Sequence, residues 1–301
     1  MAVLGHYKRL PISSGTTGLV GLSLSYAIPI ISLLNDLLTS FTETEKEMIS
    51  VERVQQYMDV FPEELEEHSC VDPNWPMEGL IEFNQVTLRY MPFLPPALRA
   101  VSYTIHAGEQ VGIAGRTGAG KSSVLNAIFR LTPISDGKIL IDKVDISNVA
   151  LKELRSRLTV VPQTPFLFEG TLRENLDPFS NIADSTIWEV LQKCHIKEAV
   201  ITTGGLDTHV TEGGECFSTR QRQLLCLARA LLKSSKVLCL DECTANVDPK
   251  TTSLLKETVA TECKDITVIT IAHRISTISN MDRVLIFDQG TIVEEGNPQM
   301  L

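Results

Sequence analysis

The chain has 301 residues, 43% of them hydrophobic and 21% charged, with a formal net charge of −10. That is enough apolar material for one large mixed core with a segment left over, and the acidic balance, with no basic stripe, argues against nucleic acid as the main partner. Seven cysteines, odd in number and irregularly spaced, point to reduced thiols in a cytosolic compartment rather than a disulfide framework.

From Ser13 to Asn35 no charge occurs, and Leu19, Val20, Leu22, Leu24, Ile28, Ile30, Ile31, Leu33 and Leu34 dominate. The run is long enough to cross a bilayer; its glycines and Pro29 suit a helix packed among other membrane helices, and it is too long for a signal peptide. The alternative is a buried helix of a soluble domain. Phe41 to Tyr57 then spaces Met48, Val51 and Val54 among charges, the pattern of an amphipathic helix. Glutamates followed by Pro73 and Pro76 read as a linker. The expected organisation is an unassigned segment at 1–12, a transmembrane helix at 13–38, an amphipathic helix and linker at 39–78, and a folded domain at 79–301. Lys8 and Arg9 precede the span, while Glu43, Glu45 and Glu47 follow it, so the positive-inside tendency alone would put the N-terminus in the cytosol.

Antiparallel strands are expected around Leu80 to Tyr90 and Ala100 to Ile105, then a short buried strand at Val111 to Ala114. Gly115, Gly120, Lys121 and Ser122 follow it in the run GRTGAGKS, which fits G-x-x-x-x-G-K-[ST], and Ser123 to Arg130 reads as a helix start. Strand, glycine loop and helix together make a phosphate-binding loop: glycines let the backbone wrap a polyphosphate, and successive N–H groups and the helix N-terminus offer partial positive charge. The candidate binding residues are Gly115, Arg116, Thr117, Gly118, Ala119, Gly120, Lys121, Ser122 and Ser123. Lys121 would meet the β- and γ-phosphates, and the Ser122 hydroxyl would meet Mg²⁺.

Further strands are expected at Ile139 to Ile141 and Leu158 to Val161, with Gln163 at the end of the latter. A helical insertion runs from about Thr171 to Leu232, with helices at Thr186 to Cys194 and Gln221 to Leu232, and parallel strands return at Val237, Val268 and Val284. The apolar run Val237 to Leu240 ends abruptly in Asp241 and Glu242, as when a buried strand delivers two carboxylates to the ligand-binding edge of an open α/β sheet. Asp241 suits Mg²⁺, and Glu242 suits orienting and polarising a water. The two motifs together specify a nucleoside triphosphatase. Cys226 and Cys239 lie inside apolar runs, where packing is the better reading for Cys239 than chemistry.

The strings GRTGAGKSS, TLRENLDPFS, RQRQLLCLARALL, LDE and TIAHR make residues 79 to 301 resemble the nucleotide-binding cassette of ATP-binding cassette transporters. The resemblance is strongest to the second cassette of the C subfamily, the multidrug-resistance-associated type, and extends upstream to about residue 15, the last transmembrane helix. It implies an α/β P-loop cassette with a helical subdomain and an antiparallel β subdomain, preceded by one transmembrane helix. It further implies that Tyr90 stacks on adenine, with Phe83 and Phe93 as its rivals, that Gln163 senses the γ-phosphate or metal, and that His273 contacts the γ-phosphate. The family's signature stretch corresponds to Phe217, Ser218, Thr219, Arg220 and Gln221. Ser218 and Gln221 match it and would reach a nucleotide held by a second cassette, whereas Arg220 replaces a glycine whose bare backbone approaches the γ-phosphate.

The expected function is ATP hydrolysis with Mg²⁺, powering export of organic anions or conjugates across a plasma or vacuolar membrane. The implied partners are a second cassette and the remaining membrane helices, and the chain is expected to be part of a longer polypeptide or a truncated product. The resemblance puts the N-terminus opposite to where the flanking charges would. Two alternatives are a soluble cassette ATPase and a truncated regulatory fragment that binds ATP without turning it over.

Overall fold

The structure is a computed structural model that describes residues 14–60, 71–243, 248–272 and 275–298. It divides into two units, 1–65 and 66–301.

Among its described residues the first unit is built on one unbroken helix, α1 (Ser14–Met58), of 45 residues. Sequence reasoning separated a membrane helix from an amphipathic one near residue 39, but no glycine or proline lies between Ile30 and Met58, and the glutamates, lysine, methionine and glutamines there favour helix. Nothing breaks the hydrogen-bond ladder at that point. Pro29, inside the helix, removes one donor from it, a change tolerated best in membrane helices. Ser23 and Thr39 return their hydroxyls to the carbonyls of Val20 and Asn35 at 2.9 and 2.8 Å, so neither presents a free donor to an apolar surrounding. Leu19, Ile28, Ile31 and Leu33 are all at least 60% exposed.

The second unit opens with strands β1 (Ile81–Leu88), β2 (Leu98–Ile105) and β3 (Gln110–Gly115), helix α2 (Lys121–Ile128), strands β4 (Ile134–Ile141) and β5 (Val144–Asp145), helix α3 (Leu151–Arg157) and strand β6 (Leu158–Val161). A largely helical stretch follows: β7 (Gly170–Thr171), α4 (Leu172–Leu176), α5 (Asp184–Lys193), α6 (Lys197–Thr203), β8 (His209–Val210) and α7 (Thr219–Leu232). The chain then returns through β9 (Val237–Asp241), α8 (Pro249–Glu262), β10 (Thr267–Ile271), α9 (Ile275–Ile278), β11 (Arg283–Asp288) and β12 (Thr291–Gly296).

Six strands form the central sheet in the order β12-β11-β3-β10-β9-β6. Four of its five pairings are parallel, and the edge strand β12 pairs antiparallel with β11. A separate antiparallel sheet has the order β2-β1-β4-β5. Alternation along β9 shows how one strand serves two cores. Val237 and Cys239 pack with β1, β2 and α2, while Leu238 and Leu240 pack with α4 to α8. Phe83 stacks on Tyr103 at 4.4 Å, and Tyr103 meets Phe287 edge-on at 6.5 Å, which joins the two sheets.

The entry into this unit is clasped. Asp142 and Lys143, both with positive φ (48° and 67°), make the tight turn between β4 and β5. The Asp142 carboxylate accepts from the backbone N–H groups of Met77, Glu78, Gly79 and Leu80 at 2.7 to 2.9 Å. Trp75, nearly buried, donates its indole N–H to Ile141 O at 2.9 Å.

Candidate functional site

Parallel pairing brings the C-terminal ends of β3, β6, β9 and β10 to one edge. The glycine loop leaves β3 at Gly115, where φ is +149° and a Cβ would sit 2.3 Å from Phe287 O, so only glycine passes. At Gly118, φ is +82° and a Cβ would meet nothing within 4 Å. The loop is thus backed by protein at one end and open at its crest. Ala119 is buried, its carbonyl accepting from Gly290 N–H at 3.0 Å.

Lys121 opens α2 and turns back beneath the loop: it is 4% exposed, and Nζ donates to Gly115 O at 2.8 Å and Arg116 O at 3.0 Å. Burial pulls its ammonium below the ordinary lysine value of 10.5, and the charges of Glu242 and Asp241 oppose that pull. Arg116 is exposed and contributes here through its carbonyl. Ser122 is exposed at the head of α2.

Asp241 ends β9, half-buried. Glu242 follows with φ +45°, its N–H donating to Ile271 O at 3.1 Å, so the chain turns sharply and carries the carboxylate over the sheet edge. Gln163, two residues beyond β6, donates Nε2 to Glu242 Oε2 at 2.9 Å. A cleft of about 320 Å³ is lined by Tyr90, Ala97, Thr117, Gly118, Gly120, Lys121, Ser122, Ser123 and Glu242. Tyr90 is 49% exposed, and its hydroxyl lies 3.0 Å from Ser123 Oγ and accepts from Asn126 Nδ2 at 2.9 Å. Neither rival aromatic lines this cleft: Phe83 is 1% exposed and stacked on Tyr103, and Phe93 is 82% exposed.

Residues 98–245 match the family model described as ABC transporter. The chain is 62% identical over its full length to ABC transporter C family member 13 of Arabidopsis thaliana, spanning 21% of it. It is 48% identical over its full length to ATP-binding cassette sub-family C member 10 of Mus musculus, spanning 20%. Over 97% of the chain it is 44% identical to metal resistance protein YCF1 of Saccharomyces cerevisiae, again spanning 20%. A bacterial Atm1-family ABC exporter with ATP bound superposes with a TM-score of 0.76 at 29% identity, over 85% of this chain and 45% of the exporter. The chain belongs to the ABC transporter family, in its C subfamily. It spans about one fifth of the length of these curated relatives.

Within this cassette the signature stretch lies outside the cleft. Ser218 caps α7, its Oγ accepting from Gln221 N–H at 3.3 Å while Gln221 Oε1 accepts from Ser218 N–H at 2.8 Å, a reciprocal capping box. Both side chains are therefore committed to the helix start. Arg220 is exposed in the first turn, and its charge helps lower the pKa of Asp248, after the capping hydrogen bond from Thr251. His273 lies outside the described residues. Among the described cysteines only Cys216 is exposed. Burial pushes the Cys243 thiol up to about 12, and it raises that of Cys239 further. Both flank the carboxylates as neutral packing groups. Sequence reasoning missed Asn126. Its spacing of three from Ser123 puts the two on one helix face, but only the fold shows that the Tyr90 hydroxyl reaches them.

Proposed function

We propose that this chain binds MgATP in the cleft and hydrolyses it, acting as one cassette of a membrane exporter. One observation carries this reading: Lys121, at the start of α2, and the Gln163-bound Glu242, just after β9, line a single cleft. The loop N–H groups and Lys121 neutralise the β- and γ-phosphates. Tyr90 offers a ring face to the adenine. The Ser122 hydroxyl and Asp241 supply oxygen donors of the kind that hold Mg²⁺ together with substrate phosphates and water, rather than in an all-protein cage. The ion, held by these residues, would add positive charge that offsets the charge of the phosphates. Glu242 accepts a proton from the water whose oxygen attacks the γ-phosphorus, and the bond to the bridging oxygen breaks with its electron pair leaving on ADP. Gln163, already bonded to that carboxylate, holds it in place.

α1 is the membrane anchor in this reading. It contains a segment of mean hydropathy 1.6 with none of it buried, and 45 residues at 1.5 Å each reach about 67 Å, roughly twice a bilayer's apolar core. The remainder extends beyond the apolar core on the cytosolic side. That direction runs against Lys8 and Arg9 and leaves orientation to neighbouring helices. The complete assembly includes a second cassette and further membrane helices in a plasma or vacuolar membrane. Its cargo is an organic anion or conjugate, the class implied by resemblance to the C subfamily. Phosphate release by the assembled pair is the test: Glu242→Gln retains MgATP binding and loses most turnover, whereas equal rates would overturn the assignment.

A further inference from the structure

The cleft's aromatic wall is tied to its phosphate wall. Tyr90 sits on the loop between β1 and β2, which is closed by Ala97 N–H to Leu88 O at 2.8 Å and by the Arg89 guanidinium to Leu94 O at 2.8 Å. The far end of its ring is held by α2: Ser123 Oγ lies 3.0 Å from the hydroxyl, and Asn126 donates to it at 2.9 Å. Ser123 is 5% exposed and Asn126 half-buried, and both stand on the backbone of α2. A half-exposed tyrosine loses rotamer freedom when it meets a ligand, and ordering it beforehand removes that cost from binding.

We propose that Ser123 and Asn126 are positioning residues that preset the Tyr90 ring as the platform for the nucleotide base. The proposal rests on the reading of Tyr90 as the base-stacking residue. α2 begins at Lys121, so the phosphate charge and the base platform are held in register by one short helix. Of the two serines ending the loop motif, Ser122 is exposed in the cleft lining, while Ser123 anchors the ring. A ligand with phosphates but no base does not use this arrangement.

The experiment is calorimetric titration of the full chain in detergent micelles with MgATP and, separately, with magnesium tripolyphosphate. Asn126→Leu and Tyr90→Phe each weaken MgATP by about fivefold, and the double variant binds as Tyr90→Phe does, because the bond is shared. Tripolyphosphate affinity is the same in all. Unchanged MgATP affinity in Asn126→Leu would overturn the proposal, as would equal weakening of both ligands, since Asn126 would then support only the loop. Tyr90→Ala separates the two readings. If it leaves MgATP affinity intact, base stacking by Tyr90 falls; if it weakens MgATP while Tyr90→Phe and Asn126→Leu do not, stacking stands and positioning falls.

Discussion

Lys121 is a cation with 4% of its surface exposed, satisfied for now by two carbonyls of its own loop. Replacing those carbonyls by phosphate oxygens exchanges neutral acceptors for charged ones, a gain of roughly 1.4 kcal/mol or more. Lys121→Ala is therefore expected to weaken MgATP binding at least about tenfold by calorimetry, and an unchanged affinity would remove the phosphate-loop assignment. The lowered lysine pKa adds a pH signature with a definite sign. Phosphate binding needs the protonated form, so affinity holds below the pKa of the free site and falls as pH rises through it. That decline sets in below 10.5. For folding the sign is opposite: the unfolded chain keeps the lysine proton to higher pH, so the burial penalty fades and stability rises across the same interval. Affinity titrated from pH 7 to 10.5 and found flat would contradict a buried, depressed lysine. These residue-level features were legible where spacing encodes chemistry, as at Lys121 and at Asp241 with Glu242. The contact between Gln163 and Glu242 joins strand ends 79 residues apart, and no local pattern announces it. Phe83 was a needless rival, because its alternation with Glu82 and Asn84 in β1 already marks it as inward-facing.

At the scale of elements, strand and helix positions followed from apolar runs, and the parallel core strands lie where those runs predict. What escaped was set by tertiary contact. β12 has Glu294 and Glu295 in a six-residue run, too polar to stand out as a strand until β11 pairs with it. The unbroken α1 reflects good helix formers over 39–58, which outweigh the change from apolar to charged surface. The clasp at Asp142 was likewise invisible, since one carboxylate serves four N–H groups more than sixty residues away. Met77 and Glu78 are exposed, so water replaces the acceptor there, but Gly79 and Leu80 are partly buried. Leaving two such donors unpaired costs about 3 kcal/mol. Asp142→Ala should lower stability by about that amount in urea unfolding of the full chain, with Asp142→Asn intermediate because one amide oxygen replaces two. A loss below about 0.5 kcal/mol would show that the clasp is dispensable.

For the whole molecule, the proposed function gives the cassette two unequal half-sites. The cleft on its own phosphate loop is lined by Lys121 and Glu242, with Asp241 next to Glu242 at the end of β9. The signature stretch is on α7, where Ser218 and Gln221 are locked into a capping box and Arg220 stands exposed in the first turn. A helix start favours an anion, and arginine adds charge, but its side chain keeps the backbone N–H from the close approach that glycine would permit. The proposed pair of cassettes should therefore turn over ATP mainly at the site built on this chain's Lys121. The site completed by Ser218 and Arg220 should hold nucleotide with slow turnover. A single cassette offers phosphate contacts from one side only, so the isolated chain should hydrolyse ATP poorly until a partner supplies the opposing field. Two substitutions separate the sites in the assembled pair. Glu242→Gln should abolish most phosphate release, while Arg220→Gly, changing only the poorly active site, should alter it by less than about twofold, or about 0.4 kcal/mol. A large gain from Arg220→Gly together with substantial activity in Glu242→Gln would place turnover at the other site, and with it the task of opening the pair.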